Sequence, residues 1–284
     1  MNLPRLDIPD LLRQHGLRPE KSLGQNFLLE ESCLEQVVAA AEITGEDIVL
    51  EIGAGLGNLT RHLAVAAHTV VAVELDEGLL PPLRQVLEPF SNVRLVHGDI
   101  LALDPAKLIP ERNFLVVANI PYYITSAVIR HLLETSCLPT RLVLTMQKEV
   151  AQRICAAPGD LSLLALSVQV YGSPHIVAYI PAGAFYPPPK VDSAILRVDL
   201  YPAPRIPPPQ LDAFFRLCKA GFSQKRKTMR NALSGGLGWS TSQAGELLLN
   251  AQIDPFRRAE TLSLDEWHRV TLAYADQLTP PPQQ

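Results

Sequence analysis

Short runs that are apolar on both faces recur through the first half of the chain, at 48–50, 69–73, 93–96, 114–118 and 142–145. A strand apolar in both directions has to be covered on both sides, which is the condition of a parallel sheet with helices on its two faces. The stretches between these runs, 58–66, 77–87 and 126–134, have helical length. The repeat is therefore strand then helix, and the class is α/β, a doubly wound Rossmann-like fold. After Val150 the order changes. A helix-like stretch at 161–170 precedes strand-like runs at 176–180 and 194–200, and two strands without a clear helix between them predict an antiparallel hairpin at one edge. Beyond Leu211 only helical patterns remain, at 211–222, 242–250 and 263–275, with Ser242 and Ser263 as expected N-caps.

Between the two patterns lies Tyr201-Pro-Ala-Pro-Arg-Ile-Pro-Pro-Pro209, where five prolines in nine residues exclude helix and sheet interior alike. It divides a first domain over 1–204, with leader helices at its start, from a small all-helical domain over 205–278. Residues 279–284 are expected to form a disordered tail. The chain has 284 residues, 47% of them hydrophobic, enough for two cores and too apolar for a wholly disordered protein. No apolar run reaches the ~18 residues of a membrane span. The amino terminus, with Asp7 and Asp10, lacks the basic-then-apolar order of a secretory signal. The expected location is the cytoplasm, with no membrane partner. Cys33, Cys137, Cys155 and Cys218 stand apart without metal-ligand spacing, so neither a disulfide framework nor a metal is expected.

A net charge of −4 argues against a polyanionic partner until its distribution is read. Residues 213–245 contain no acid and carry Arg216, Lys219, Lys225, Arg226, Lys227 and Arg230, a charge of +6 that leaves −10 for the rest. Such a run is either a solvated helix face or a docking surface for RNA phosphates. On the second reading Lys219, Lys225, Arg226, Lys227 and Arg230 are the candidate contacts, with Phe222 and Met229 anchoring the segment.

Glu51-Ile-Gly-Ala-Gly-Leu-Gly-Asn58 follows the first strand of the repeat and opens its helix, the context of a nucleotide-binding glycine turn. Gly53 permits the tight turn, while Gly55 and Gly57 let a ligand approach bare backbone. Glu74 ends the next strand, where a carboxylate can hold both hydroxyls of a ribose. Asp99 follows the third strand and is placed to accept from an adenine amine. The spacing is G-x-G-x-G, and no triphosphate loop is present, so a ligand with ribose and adenine but no pyrophosphate fits: S-adenosylmethionine. Singly, each acid could equally be a solvated loop residue. Together at successive strand ends they point to one ligand.

After the fourth strand stands Asn119-Ile-Pro-Tyr-Tyr123. This arrangement suits methylation of an exocyclic base amine, whose lone pair is delocalised until hydrogen bonds to its protons favour a tetrahedral geometry. Asn119 Oδ1 and the Ile120 carbonyl supply two acceptors, Pro121 fixes the turn, and Tyr122 offers a face to an extruded base. In Phe185-Tyr-Pro-Pro-Pro-Lys-Val-Asp-Ser193, Phe185 is either the other face of a stacking clamp or a buried ring pinning a proline-rich loop.

These residues, with Lys21-Ser-Leu-Gly-Gln-Asn-Phe-Leu28, Phe222-Ser-Gln-Lys-Arg-Lys-Thr-Met-Arg-Asn231 and Arg257-Arg-Ala-Glu-Thr-Leu262, resemble the KsgA/RsmA small-subunit ribosomal RNA adenine dimethyltransferases over about residues 11–275. The resemblance implies S-adenosylmethionine-dependent dimethylation of two adjacent adenines near the 3′ end of 16S rRNA, on an assembling small (30S) subunit, by a monomeric enzyme. It implies a cofactor-contacting set of Asn26, Leu28, Gly53, Glu74, Asp99 and Asn119, to which the reading of the glycine turn adds Gly55, and a target-base set of Asn119, Tyr122 and Phe185, to which the reading of the proline turn adds Ile120 and Pro121. Asn26 and Leu28 enter on the resemblance alone. Asn26 stands where some members have His, and Ile120 where Leu is commoner. Three rivals remain: the related large-subunit rRNA adenine methyltransferases, which share the motifs through Ser193; an RNA-binding assembly factor on a methyltransferase scaffold; and a small-molecule methyltransferase, which would leave the basic run without purpose.

Overall fold

The structure is a computed structural model that describes residues 3–110, 113–135 and 137–278. The expected tail at 279–284 lies outside them. The chain forms two compact units, Met1–Gln152 with Ser173–Leu200, and Arg153–Gly172 with Tyr201–Gln284.

In the first unit a leader helix, α1 (Ile8–Gln14), is followed by β1 (Phe27–Leu28) and α2 (Glu31–Ala41). The strand–helix repeat then runs β2 (Ile48–Ile52), α3 (Asn58–Ala66), β3 (Thr69–Glu74), α4 (Leu80–Leu87), β4 (Val93–His97), α5 (Pro105–Leu108), β5 (Phe114–Asn119), α6 (Thr125–Leu133), β6 (Arg141–Gln147) and α7 (Lys148–Ile154). After α8 (Leu163–Gln169), which belongs to the second unit, come β7 (Gly172–Ile180), β8 (Phe185–Tyr186) and β9 (Ser193–Leu200). Seven strands form one sheet in the order β4-β3-β2-β5-β6-β9-β7. Strands β2 to β6 pair in parallel, and β9 is antiparallel to β6. The two late strands are neighbours at one edge, as the pattern predicts.

The apolar runs inside the sheet are strands because both faces are buried: Val70 to Val73 and Phe114 to Ala118 are at most 6% exposed, whereas β4, at the sheet edge, is only partly covered. The expected helix at 77–87 starts with a 3-10 turn, Glu77–Leu79, and becomes α4 where Pro81 and Pro82 occupy its first turn, positions at which the missing N–H costs nothing. Arg141 and Arg197 tie β6 and β9 to the end of α2. They bond the Ala41 and Ala40 carbonyls and pair with Glu42 and Asp199 at 2.7–3.1 Å. Cations there complement the negative end of the helix dipole.

In the second unit, Arg153–Gly172 joins the helices of the C-terminal half. The Gly159 and Leu161 amides donate to the Glu260 carbonyl at 2.8 and 3.3 Å. A single boundary at the prolines places this stretch in the first domain, and the structure corrects that, because proline density marks where a chain crosses once and carries no sign of an earlier excursion. The helices are α9 (Leu211–Phe222), α10 (Met229–Leu237), α11 (Thr241–Asn250) and α12 (Leu264–Leu278) around buried Trp267 and Phe214. Ser263 caps α12, accepting from the Glu266 amide at 3.2 Å. At α11 the expectation is corrected: Ser240, not Ser242, is the N-cap, in a reciprocal capping box with Gln243. The pattern missed α10, which holds Gly235 and Gly236, residues of low helix propensity. Gly236 is required by close approach, since a Cβ there would meet the Ala220 backbone of α9 at 2.6 Å.

Candidate active site

The carboxyl ends of β2, β3, β4 and β5 lie side by side and open on one cavity, the place where such sheets bind ligands. Its walls come from Ile52 and Gly53, from Val73 to Leu75, from Gly98 to Ile100, from Asn119 to Ile124, and from the leader segment Leu23 to Phe27. Asn26, Gly53, Gly55, Glu74, Asp99, Asn119, Ile120, Pro121 and Tyr122 are therefore brought together. Leu28 and Phe185 are not walls of it.

Gly53 and Gly55 have φ of +75° and +59°, left-handed values that few side chains adopt. Gly55 also lies against the Phe27 ring, where a Cβ would come within 3.1 Å. This conformation turns the Gly55 amide onto Glu74 Oε2 at 2.7 Å, while the Asp76 amide donates to Oε1 at 2.8 Å. Glu74 is 6% exposed, and burial raises its pKa despite these bonds. Each oxygen keeps a second lone pair for a ligand hydroxyl. Behind it, Glu51 is 1% exposed, and its Oε2 has no hydrogen-bond partner among the described residues. Burial pushes its carboxyl up to about 8, so it is mostly neutral at pH 7 and adds little negative charge beside Glu74. Asp99 is exposed, with Oδ1 accepting from the Leu101 amide at 2.9 Å.

Asn119 closes β5, and its Nδ2 donates to the Asn26 carbonyl at 2.9 Å. That bond commits the donor end of the amide and leaves Oδ1 as the accepting end. Neither Oδ1 nor the Ile120 carbonyl receives a hydrogen bond among the described residues. Asn26 thus has a role that composition and spacing do not reveal: its backbone orients Asn119, and its own Nδ2 donates to the Gly24 carbonyl at 3.0 Å. Tyr122 begins a 3-10 turn, with its hydroxyl 2.7 Å from Ser193 Oγ at the start of β9. Burial raises its pKa. Sequence reasoning also passed over Tyr123, 60% exposed and packed on Gly24. Its signal was weak, because Tyr122 precedes it as the more obvious ring.

Leu28 and Phe185 face each other across the β1–β8 ladder and are buried in the apolar core. The Leu28 carbonyl accepts from Asn58 Nδ2 at 2.7 Å. Phe185, at 3% exposure, does not present the open face that a stacking clamp requires. The ring belongs to the same core cluster as Leu34, Leu115 and Ile195.

Within the second unit Lys219, Lys225, Arg226 and Lys227 are exposed, and none has an acid within 4.0 Å among the described residues. Arg230 is half-buried, with its guanidinium 5.0 Å above the Phe256 ring. Met229 is fully buried and Phe222 stacks on Trp267, so both anchor the segment. Among the described residues no group of His, Cys, Asp and Glu is placed to hold a metal, and no helix is long and apolar enough to cross a membrane.

The family model described as ribosomal RNA adenine dimethylase matches residues 16–276, a span that takes in every wall of the cavity and the basic run. The chain belongs to the ribosomal RNA adenine dimethylase family. Relatives named "Ribosomal RNA small subunit methyltransferase A" include one from Dehalococcoides mccartyi, 44% identical over 94% of this chain and 92% of its own length. Another, from Pelotomaculum thermopropionicum, is 40% identical over 95% of this chain and 96% of its own. Among solved structures, this adenine dimethylase resembles a dimethyladenosine transferase from Plasmodium falciparum, with a TM-score of 0.77 and 25% identity over 88% of this chain and 98% of that one. It also resembles the 23S rRNA methyltransferase ErmE, with a TM-score of 0.70 and 27% identity over 87% and 99%.

Proposed function

We propose that the protein transfers methyl groups from S-adenosylmethionine to the exocyclic amines of two adjacent adenines near the 3′ end of 16S rRNA, acting in the cytoplasm on an assembling small subunit. The walls of the cavity support this donor. Glu74 has lone pairs for the ribose hydroxyls, Asp99 has an unengaged oxygen for an adenine amine, and Leu75 and Ile100 give apolar faces beside them. At Gly53 nothing lies closer than 3.8 Å to the place of a Cβ, so a cradle is left at the turn. When bound, the sulfonium supplies an electrophilic methyl together with its own leaving group.

The chain's part is then positioning and electrostatics. Asn119 Oδ1 and the Ile120 carbonyl accept the protons of the target amine. This localises the nitrogen lone pair as the nitrogen becomes tetrahedral; the methylated nitrogen, now cationic and acidic, gives its proton to water, because an amide oxygen is too weak a base to take it. Pro121 holds the two acceptors in register, and Tyr122, braced by Ser193, offers its ring to the base. Lys219, Lys225, Arg226, Lys227 and Arg230 take rRNA phosphates. The small-subunit relatives, matching nearly end to end, favour 16S over the 23S rRNA named for ErmE.

The observation that carries the reading is the 2.9 Å bond from Asn119 to the Asn26 carbonyl, which leaves an oriented acceptor at the cavity wall. Asn119→Ala is expected to slow single-turnover methylation by about a hundredfold or more, the scale for one transition-state hydrogen-bonding group, while rRNA affinity stays near parental. A parental single-turnover rate would contradict the mechanism.

A further inference from the structure

We propose that a groove between the leader and the proline-rich loop is the channel for the single-stranded RNA flanking the target adenine; this rests on the function proposed above. Leu17 and Pro19 line one side and Tyr186 the other, and the groove carries Arg13, Arg18 and Lys21 with no acid among its walls. Arg13 is partly engaged, 3.0 Å from Asp10. Arg18 and Lys21 are exposed and have no ion-pair partner among the described residues. Apolar and aromatic faces interleaved with unneutralised cations are what an unpaired strand needs, since bases stack on the former and phosphates lie on the latter.

Continuity with the catalytic cavity selects RNA over an acidic peptide. Gln25 is a wall of both. It is a fixed post: Nε2 donates to Asp76 Oδ2 at 2.6 Å, and Oε1 accepts from the Glu20 amide at 2.7 Å. An adenine in the cavity carries a nucleotide on each side, and one of those flanks has to leave along an adjoining surface. The basic groove meets the cavity at that post.

The test compares parental protein with Arg18→Gln, Lys21→Gln, the double variant and the charge-keeping Arg18→Lys. Binding to unmethylated small ribosomal subunits is measured over a range of salt, with S-adenosylmethionine affinity as the control for folding. Each Gln replacement is expected to weaken binding several-fold and to lower the slope of log K against log salt by about 0.7, the increment for one phosphate of a single strand. The double variant should show about twice that change, Arg18→Lys should retain the slope, and cofactor affinity should not change. Unchanged affinity and slope in the double variant would overturn the channel. Methyl transfer by the parental protein to the same subunits is scored in parallel. Its absence would overturn the proposed function, whereas its presence with an unchanged slope overturns the groove alone.

Discussion

Glu51 shows how one side chain couples the site to stability. Unfolded, its carboxyl titrates near the ordinary 4.5; folded, burial first of all raises it to about 8. Between these values the native chain keeps a proton that the unfolded chain has released, so this residue makes stability fall as pH rises from about 4.5 to 8. Glu74, raised in the same direction, adds to that slope. Glu51→Gln removes the titration. Denaturant unfolding at a series of pH values is expected to show the variant gaining on the parent across this window, by on the order of 3 kcal/mol at pH 7. Parallel curves would mean that the carboxyl is not held neutral. At this scale Glu74, Asp99 and Asn119 were legible, because in a parallel sheet each strand end is a fixed place and spacing along the chain becomes spacing in the site. Asn26 and Gln25 were not. Asn26 acts through a backbone carbonyl and Gln25 through a bond to a residue 51 positions away, and neither leaves a mark on local pattern.

The β1–β8 ladder is the element that positions the leader over the cavity. It is two residues long on each side, pairing Phe27 with Tyr186 and Leu28 with Phe185. Neither strand has enough length for an alternation to be recognised, so the sequence announced the loop by its prolines and left the pairing unseen. Burial of Phe185 holds the ladder. Phe185→Ala is expected to cost about 3–5 kcal/mol of stability and Phe185→Leu less than about 1.5 kcal/mol, as read by thermal unfolding. A Phe185→Ala protein that melts with the parent would show that the ring is not an anchor. The larger strands were legible for the opposite reason, since burial on both faces writes itself into four or five consecutive residues.

Across the whole molecule the net charge misleads, because an acidic chain carries an acid-free segment of +6 in its helical unit. Replacing Lys225, Arg226 and Lys227 with Gln is expected to weaken small-subunit binding and lower its salt slope by about 0.7 to 0.9 for each phosphate no longer neutralised, with S-adenosylmethionine affinity retained. Parental binding and slope would make that face merely solvated. The order of the main strands followed from the hydrophobic pattern and the place of the cavity from the residues at their carboxyl ends, but the membership of residues 153–172 in the second unit did not, since it depends on where a distant segment folds back. Purified protein is incubated with S-adenosylmethionine and small subunits lacking the modification, and the digested rRNA is analysed by mass spectrometry with the modified positions mapped by primer extension. Two adjacent N6,N6-dimethyladenosines near the 3′ end of 16S rRNA are expected, formed about a hundredfold or more slowly with Asn119→Ala; an unmodified 16S rRNA, or dimethyladenosine formed only when 23S rRNA is offered, would contradict the proposed function.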